Sequence, residues 1–251
     1  MKTCRILFMG TPDIAVSMLN RIIADGYDVI GVVTQPDKQA GRKKELKMPE
    51  VKQRAIEANI PVYQPIKIKD AVDEKKIIIS IAPGKTLAWL EEQFGKKVKL
   101  VRCMPNTPAL VGEGMTGVCC NEEVSDAEMQ DVLKILESCG KAEMLSERLI
   151  DVVVSVSGSS PAYVFMFIEA MADAAVADGM PRAQAYRFAA QAVLGSAKMV
   201  LETGKHPGEL KDMVCSPGGT TIEAVRVLEE KGMRSAVIEA MKACVKKGRE
   251  M

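Results

Sequence analysis

Histidine is almost missing from this chain: His206 is the single imidazole among 251 residues. That excludes H-E-x-x-H zinc motifs, three-histidine metal sites and catalysis by a histidine couple. No C-x-x-C pair occurs among Cys4, Cys103, Cys119, Cys120, Cys139, Cys215 and Cys244, so a structural zinc is not expected. An odd number of cysteines scattered through apolar stretches predicts reduced, buried thiols and a cytoplasmic location. No apolar run approaches the roughly 18 residues that cross a bilayer, and Met1-Lys2-Thr3-Cys4-Arg5 passes straight into a strand-like run rather than a signal-peptide core. No membrane role is expected. Net charge is nearly absent as well: 34 Lys+Arg against 33 Asp+Glu leave +1. With no global field to draw a polyanion, nucleic-acid binding would need a local basic patch. Aromatics make up only 4%, yet 47% of residues are apolar, enough for an ordinary globular core and too much for a disordered or collagen-like chain.

What is present falls into two halves. Arg5-Ile-Leu-Phe-Met9 reads as a buried strand, Asp13 to Asp25 as a helix with Ile14, Met18, Leu19, Ile22 and Ile23 on one face, and Tyr27 to Val33 as a second strand. This βαβ unit predicts a parallel sheet with a right-handed crossover. A polar, basic loop follows from Gln35 to Glu45, then a helix near Pro49 to Ala58 and short strands at Pro61–Tyr63, Lys76–Ile81 and Val98–Arg102, the last two flanking a helix over Thr86–Phe94. A strand from Gly114 to Cys120, a helix from Ser125 to Ser138 and a strand near Ala142–Leu145 complete a doubly wound α/β layer ending near residue 150. From Ser160 onward the period is helical alone, in segments near 162–178, 181–202, 208–213, 220–230 and 233–247. The first of these is apolar nearly all round, more surface than one chain covers, which predicts packing on a partner subunit. The fold class is thus α/β: a Rossmann-like domain over 1–150 followed by an all-α helical domain over 151–251.

Chemistry concentrates in Cys215-Ser-Pro-Gly-Gly-Thr-Thr-Ile-Glu-Ala224. Two glycines and two threonines open an amphipathic helix, leaving N–H groups free to bind a small carboxylate or phosphate with the helix dipole behind them. Ser216, Gly218, Gly219, Thr220 and Thr221 are the candidate residues; ordinary N-capping competes as the explanation. Met104-Pro-Asn-Thr-Pro108 follows a strand's carboxyl end, the rim where open α/β sheets bind ligands, so Asn106 and Thr107 are candidates, against a plain proline-bracketed turn. Gly10-Thr-Pro-Asp-Ile-Ala15 stands where a dinucleotide fingerprint would stand, but Pro12 replaces its second glycine and offers no N–H to a phosphate. Gly10 and Thr11, with Thr34, Gln35 and Lys38 after the second strand, would meet the cofactor; without an acid directly at that strand end the phosphorylated form is favoured. Lys38, Arg42, Lys43, Lys44, Lys47, Lys52 and Arg54 have few opposing acids, but with no aromatic interleaved they read as a solvated face rather than an RNA grip. Glu169 and Asp173 share a helix face as a polar stripe, and His206 before Pro207 reads as a cap.

From about Glu74 to the end the chain resembles pyrroline-5-carboxylate reductase. The likeness rests on Ile79-Ser-Ile-Ala-Pro-Gly84, Arg102-Cys-Met-Pro-Asn-Thr-Pro-Ala-Leu110, Ser155-Val-Ser-Gly-Ser-Ser-Pro-Ala-Tyr163 and His206 to Leu228. The first 70 or so residues look instead like methionyl-tRNA formyltransferase, through Phe8-Met-Gly-Thr-Pro-Asp-Ile-Ala-Val16, Val32-Val-Thr-Gln-Pro-Asp-Lys38 and Ile60-Pro-Val-Tyr-Gln-Pro65. A chimera joined between about Lys67 and Lys75 is the reading these two resemblances imply. That family's Asn, His and Asp catalytic group has no counterpart here, which excludes formyl transfer.

The reductase resemblance implies reduction of 1-pyrroline-5-carboxylate to L-proline by hydride from NADP- or NAD-type cofactors. It further implies that the Gly218–Thr220 amides hold the carboxylate, that the Thr221 hydroxyl polarises the imine nitrogen, and that the helical domain builds a homodimer or larger ring. Two other readings stand beside it: a folded, catalytically silent chimeric scaffold in which Pro12 spoils the nucleotide site, and a tRNA-binding module using the loop from Lys38 to Lys47. The residues do not decide between NADPH and NADH, the ring size, or whether a join near 66–75 leaves a working cofactor site.

Overall fold

The computed structural model describes residues 4–11, 13–40, 45–64 and 75–250. Pro12, the stretch Gly41 to Lys44 and most of the expected join, from residue 65 to 74, lie outside them. The chain divides into two compact units, one reaching Gly158 and the other running from Ser159 to Glu250.

In the first unit, β1 (Arg5–Met9), α1 (Asp13–Ala24) and β2 (Asp28–Val33) form the expected βαβ. β1 and β2 run parallel in a register from Arg5↔Asp28 to Met9↔Val33, with one irregularity between Ile6 and Leu7. After β2 the basic segment, expected to be loop, forms an antiparallel ribbon of β3 (Lys38–Ala40) and β4 (Glu45–Lys47). Its strands are three residues each and mostly polar in sequence, too short for a hydrophobic alternation to announce them. α2 (Glu50–Glu57) then leads to β5 (Val62–Tyr63), which pairs parallel with β2 to give the order β1-β2-β5. Leu19, Ile22, Val32, Val51 and Ala55 are buried between these strands and α1 and α2.

The second sheet has the order β6-β7-β8-β9, built from β6 (Ile77–Ser80), β7 (Lys99–Met104), β8 (Gly114–Cys120) and β9 (Gly140–Met144). α3 (Leu87–Phe94) joins β6 to β7 and α4 (Asp126–Leu136) joins β8 to β9, both as parallel crossovers. β7 and β8 are antiparallel, the one described pair in this sheet that departs from the expected parallel pairing. Only Pro105 to Glu113 connects them, fewer than the dozen or so residues a parallel return requires, and a 3-10 turn over Thr107–Val111 fills the gap. Met9 of β1 and Ile78 of β6 pack into one core cluster with Leu87, Leu90, Leu100 and Ile150. After β9 the chain continues through α5 (Ile150–Val153) and a π-helical turn over Val154–Gly158.

The second unit is helical throughout: α6 (Ser160–Ala177), α7 (Arg182–Thr203), α8 (Pro207–Val214), α9 (Thr220–Glu230) and α10 (Met233–Arg249). Its buried apolar residues are few and small, Ala172, Ala185, Ala189 and Leu210, while Phe165, Met166, Phe188, Leu194, Leu201, Ile222, Leu228 and Ile238 are exposed. The helical run from Glu147 to Ala177 is long and apolar enough, by length and composition, to cross a membrane. This corrects the expectation that no run approaches that length. Scattered serines and Gly158 break the apolar run to the eye, whereas they lower an averaged hydropathy only slightly.

All seven cysteines are free thiols. Burial pushes the Cys103 thiol up to about 12 and that of Cys119 up to about 11, which makes both inert.

Candidate functional site

The loop between α8 and α9 is shaped by its glycines. The Gly219 N–H donates to the Ser216 carbonyl at 3.0 Å, closing a turn in which Gly218 takes φ +69°. Pro217 is pre-set for the second place of such a turn, and only glycine occupies the third without strain. A Cβ on Gly219 would lie 2.6 Å from Ser216 Oγ, which would have to rotate away, and 3.2 Å from the Ser216 carbonyl oxygen, so the turn is tight at this position too. Gly219 is the N-cap of α9 and has no side chain with which to cap it. Thr220 and Thr221 sit inside the first helical turn, which removes N-capping as their explanation. Ser216, Gly218 and Thr220 are exposed, and Gly219 and Thr221 half-buried. Uncapped amides, a helix dipole and hydroxyls therefore meet at a surface a small anion can reach.

The neighbouring polar residues of this unit have structural work. His206 caps α8, its Nδ1 accepting from the Gly208 N–H at 3.0 Å. Asp173 is ion-paired with Arg182, whose guanidinium stands 5.5 Å from the Tyr186 ring centre, so the Glu169/Asp173 stripe is a surface feature. Among the described residues no group of three or more His, Cys, Asp or Glu is arranged to hold a metal.

In the first unit the expected cofactor residues gather at the carboxyl ends of β1 and β2. Thr11 Oγ1 and Thr34 Oγ1 are 3.3 Å apart, and the Gln35 N–H donates to Thr11 Oγ1 at 3.4 Å. The Gly10 N–H donates to the Val33 carbonyl at 3.0 Å. A Cβ on Gly10 would fall 2.7 Å from the Ala15 Cβ, so helix and strand touch at this turn as dinucleotide folds require. Lys38 has its backbone in β3. Of the expected basic run, Lys47 pairs with Glu50 at 2.8 Å on the surface, Lys52 pairs with Asp37 at 2.7 Å, and Arg54 donates to the uncharged Asn20 side chain, while the Lys38 side chain and residues 42–44 lie outside what is described. The crowded glycine turn and an acid already paired with a cation at the end of β2 fit a nicotinamide dinucleotide at this rim.

At the end of β7 the Asn106 side chain is occupied. Its Nδ2 donates to the Ser157 carbonyl at 3.0 Å and its Oδ1 accepts from the Met115 N–H at 2.9 Å, pinning the turn to β8 and to the π-helical segment. Thr107 is exposed at the start of the 3-10 turn. Beside them lies a group the sequence did not disclose. The buried Arg102 guanidinium donates to Glu147 at 2.9 Å, and the same carboxylate oxygen accepts from the Leu87 N–H at 2.8 Å. Asp151 stands 4.0 Å from Arg102. A strand arginine and a glutamate 45 positions later give no local pattern, so only the fold brings them together.

Comparison with known proteins adds four findings. Residues 147–251 match a family described as pyrroline-5-carboxylate reductase dimerisation. The chain is 51% identical to the pyrroline-5-carboxylate reductase of Escherichia coli strain K12, over 98% of this chain and 98% of that one. Among solved structures, a pyrroline-5-carboxylate reductase from Coxiella burnetii superposes with a TM-score of 0.82 at 30% identity, over 97% of both chains. A Plasmodium falciparum pyrroline carboxylate reductase with NADP bound gives 0.80 at 27% identity, over 98% of this chain and 99% of that one. The expected formyltransferase segment and chimera find no support here, because the likeness to the Escherichia coli reductase runs past 67–75 and covers 98% of the chain. Both families open on a Rossmann-like βαβ, and the motifs around Phe8 and Val32 fall within that common unit.

Proposed function

Because the chain belongs to the pyrroline-5-carboxylate reductase family, we propose that it reduces 1-pyrroline-5-carboxylate to L-proline with a nicotinamide dinucleotide as reductant. The observation that carries this is the 51% identity over 98% of both chains. A bound NADPH or NADH supplies the hydride. Gly10, Thr11, Thr34 and Lys38 hold that cofactor, with Thr107 nearby and Asn106 acting by pinning the turn that bears Thr107.

The substrate is a cyclic imine with a carboxylate, and its C=N carbon accepts hydride readily once the nitrogen is protonated or hydrogen-bonded. Little acid–base machinery is needed, in keeping with a chain that has one histidine. The residues' task is orientation. Amides at Gly218 and Thr220 take the carboxylate, the Gly219 N–H is spent closing their turn on the Ser216 carbonyl, and the Thr221 hydroxyl donates to the imine nitrogen. Thr221 is therefore the catalytic residue.

We assign the exposed apolar faces of the second unit to a homo-oligomer, in keeping with the dimerisation family matched over 147–251. The same burial accounts for the membrane-length run, much of whose apolar surface lies on α6. Seven free thiols suit a cytoplasmic setting.

The test is consumption of NADPH in the presence of pyrroline-5-carboxylate. One charge-assisted hydrogen bond is worth roughly 1.5–3 kcal/mol, so Thr221→Ala is expected to lower kcat/KM about tenfold to a hundredfold, and Thr221→Ser to retain most of it. Absence of turnover by a protein with intact helical content would leave the silent scaffold as the reading.

A further inference from the structure

Resting on the reductase reading above, we propose that Lys52 selects the cofactor: it neutralises Asp37 so that the ribose position beyond β2 accepts a 2′-phosphate. In dinucleotide-binding sheets the adenosine ribose lies past the carboxyl end of the second strand. An acid there that accepts the 2′-hydroxyl favours the unphosphorylated cofactor, and cationic surroundings favour the phosphorylated one.

Asp37 stands just past β2. Its two carboxylate oxygens take the Lys52 Nζ at 2.8 and 2.7 Å, and one of them also accepts from Gln64 Nε2 at 3.0 Å. Gln64 follows β5, whose Tyr63 pairs with Val33 of β2, so the cluster bridges the carboxyl ends of two adjacent strands. Gln64 Nε2 also donates to the Gln35 carbonyl at 2.7 Å, which ties the cluster to the residue beside Thr34.

An ammonium has three protons. Two of Lys52's go to Asp37 and the third reaches Gln64 Oε1 at 3.2 Å, so the lysine is a fixed counter-charge rather than a ligand in waiting. The Lys52 and Asp37 side chains are only 17% and 27% exposed, so solvent screens the pair poorly. These hydrogen bonds hold the Asp37 carboxyl below its ordinary range. Thus the acid that would discriminate against a phosphorylated ribose is present but disarmed. The sequence favours the phosphorylated form because no acid sits directly at the strand end; the structure supplies a different reason for the same preference.

The experiment measures dissociation constants for NADP and NAD by titration calorimetry on the full-length protein, without turnover. The variants are Lys52→Gln, Asp37→Asn and the two combined. A bare carboxylate beside a dianion is expected to weaken NADP binding about tenfold in Lys52→Gln, with NAD changed less than about threefold. The double variant regains NADP binding, and Asp37→Asn alone keeps it. Equal weakening of both cofactors in Lys52→Gln, or no recovery in the double variant, overturns the proposal while leaving the reductase reading intact. Should Lys52→Gln fail to fold, Asp37→Asn decides: a loss of NADP relative to NAD overturns the proposal, and a retained preference supports it. Wild type binding neither dinucleotide overturns the reading and the proposal together.

Discussion

Gly10 and Gly218 are both glycines at turns, yet they are glycine for different reasons. At Gly10 the constraint is space: an added methyl meets the Ala15 Cβ at 2.7 Å and a Phe8 ring carbon at 2.9 Å. Gly10→Ala is therefore expected to cost about 1–3 kcal/mol as overpacking, read as a lowered melting temperature. At Gly218 the surroundings are open and the backbone is the constraint, with φ +69° and nothing within 4 Å of a Cβ. Gly218→Ala is expected to cost about 1 kcal/mol of left-handed strain confined to the loop. It would weaken binding of a proline analogue about fivefold, since the competent loop shape is less populated, while lowering the melting temperature less than Gly10→Ala. Both glycines were legible in the sequence as candidate site residues, because glycine pairs and glycine-proline turns mark where a ligand approaches main chain. Arg102 and Glu147 were not, since a buried pair 45 residues apart leaves no trace in local spacing. Asn106 was found but its work was not: an amide on a rim can serve a ligand or a neighbouring carbonyl, and only the positions of Ser157 and Met115 distinguish the two.

Among the elements, helices were the most readable, because caps and apolar periods state their limits. α4 shows why. The Ser125 Oγ accepts from the Glu128 N–H while the Glu128 carboxylate returns to the Ser125 N–H at 3.0 Å, a reciprocal capping box. Ser125→Ala is expected to cost about 1 kcal/mol. Hydrogen bonds from Lys99, then from the Ser125 N–H and hydroxyl, hold the Glu128 carboxyl down at about 2 against an ordinary value of 4.5. A carboxylate depressed on folding stabilises fully above its unfolded value, and that stabilisation is lost as the pH falls from 4.5 towards 2. Melting temperatures followed down through that acid range should fall more steeply for wild type than for Glu128→Gln. Strand direction was less readable than helix position. β7 and β8 each announce themselves by composition, but whether they run parallel depends on what the connection can span, and the short 3-10 turn between them reverses the chain.

For the molecule as a whole, the helical unit is the informative part, because the single chain leaves so much of it bare. Phe188 is 62% exposed and Leu201 83% exposed, both on α7, and such surface is ordinarily covered by association. Phe188→Glu and Leu201→Glu together are expected to convert the oligomer to monomer, measured by sedimentation velocity at equal protein concentration. An apolar girdle of this kind was visible in the sequence from Ala162 to Asp178, while the extent to which α9 shares in it was not. Ile222, Val227 and Leu228 are also exposed on α9, the helix whose first turn carries Thr220 and Thr221. Steadying that helix from outside steadies its amino end, so turnover per mole of chain should decline on dilution through the subunit dissociation range and return when the same sample is concentrated.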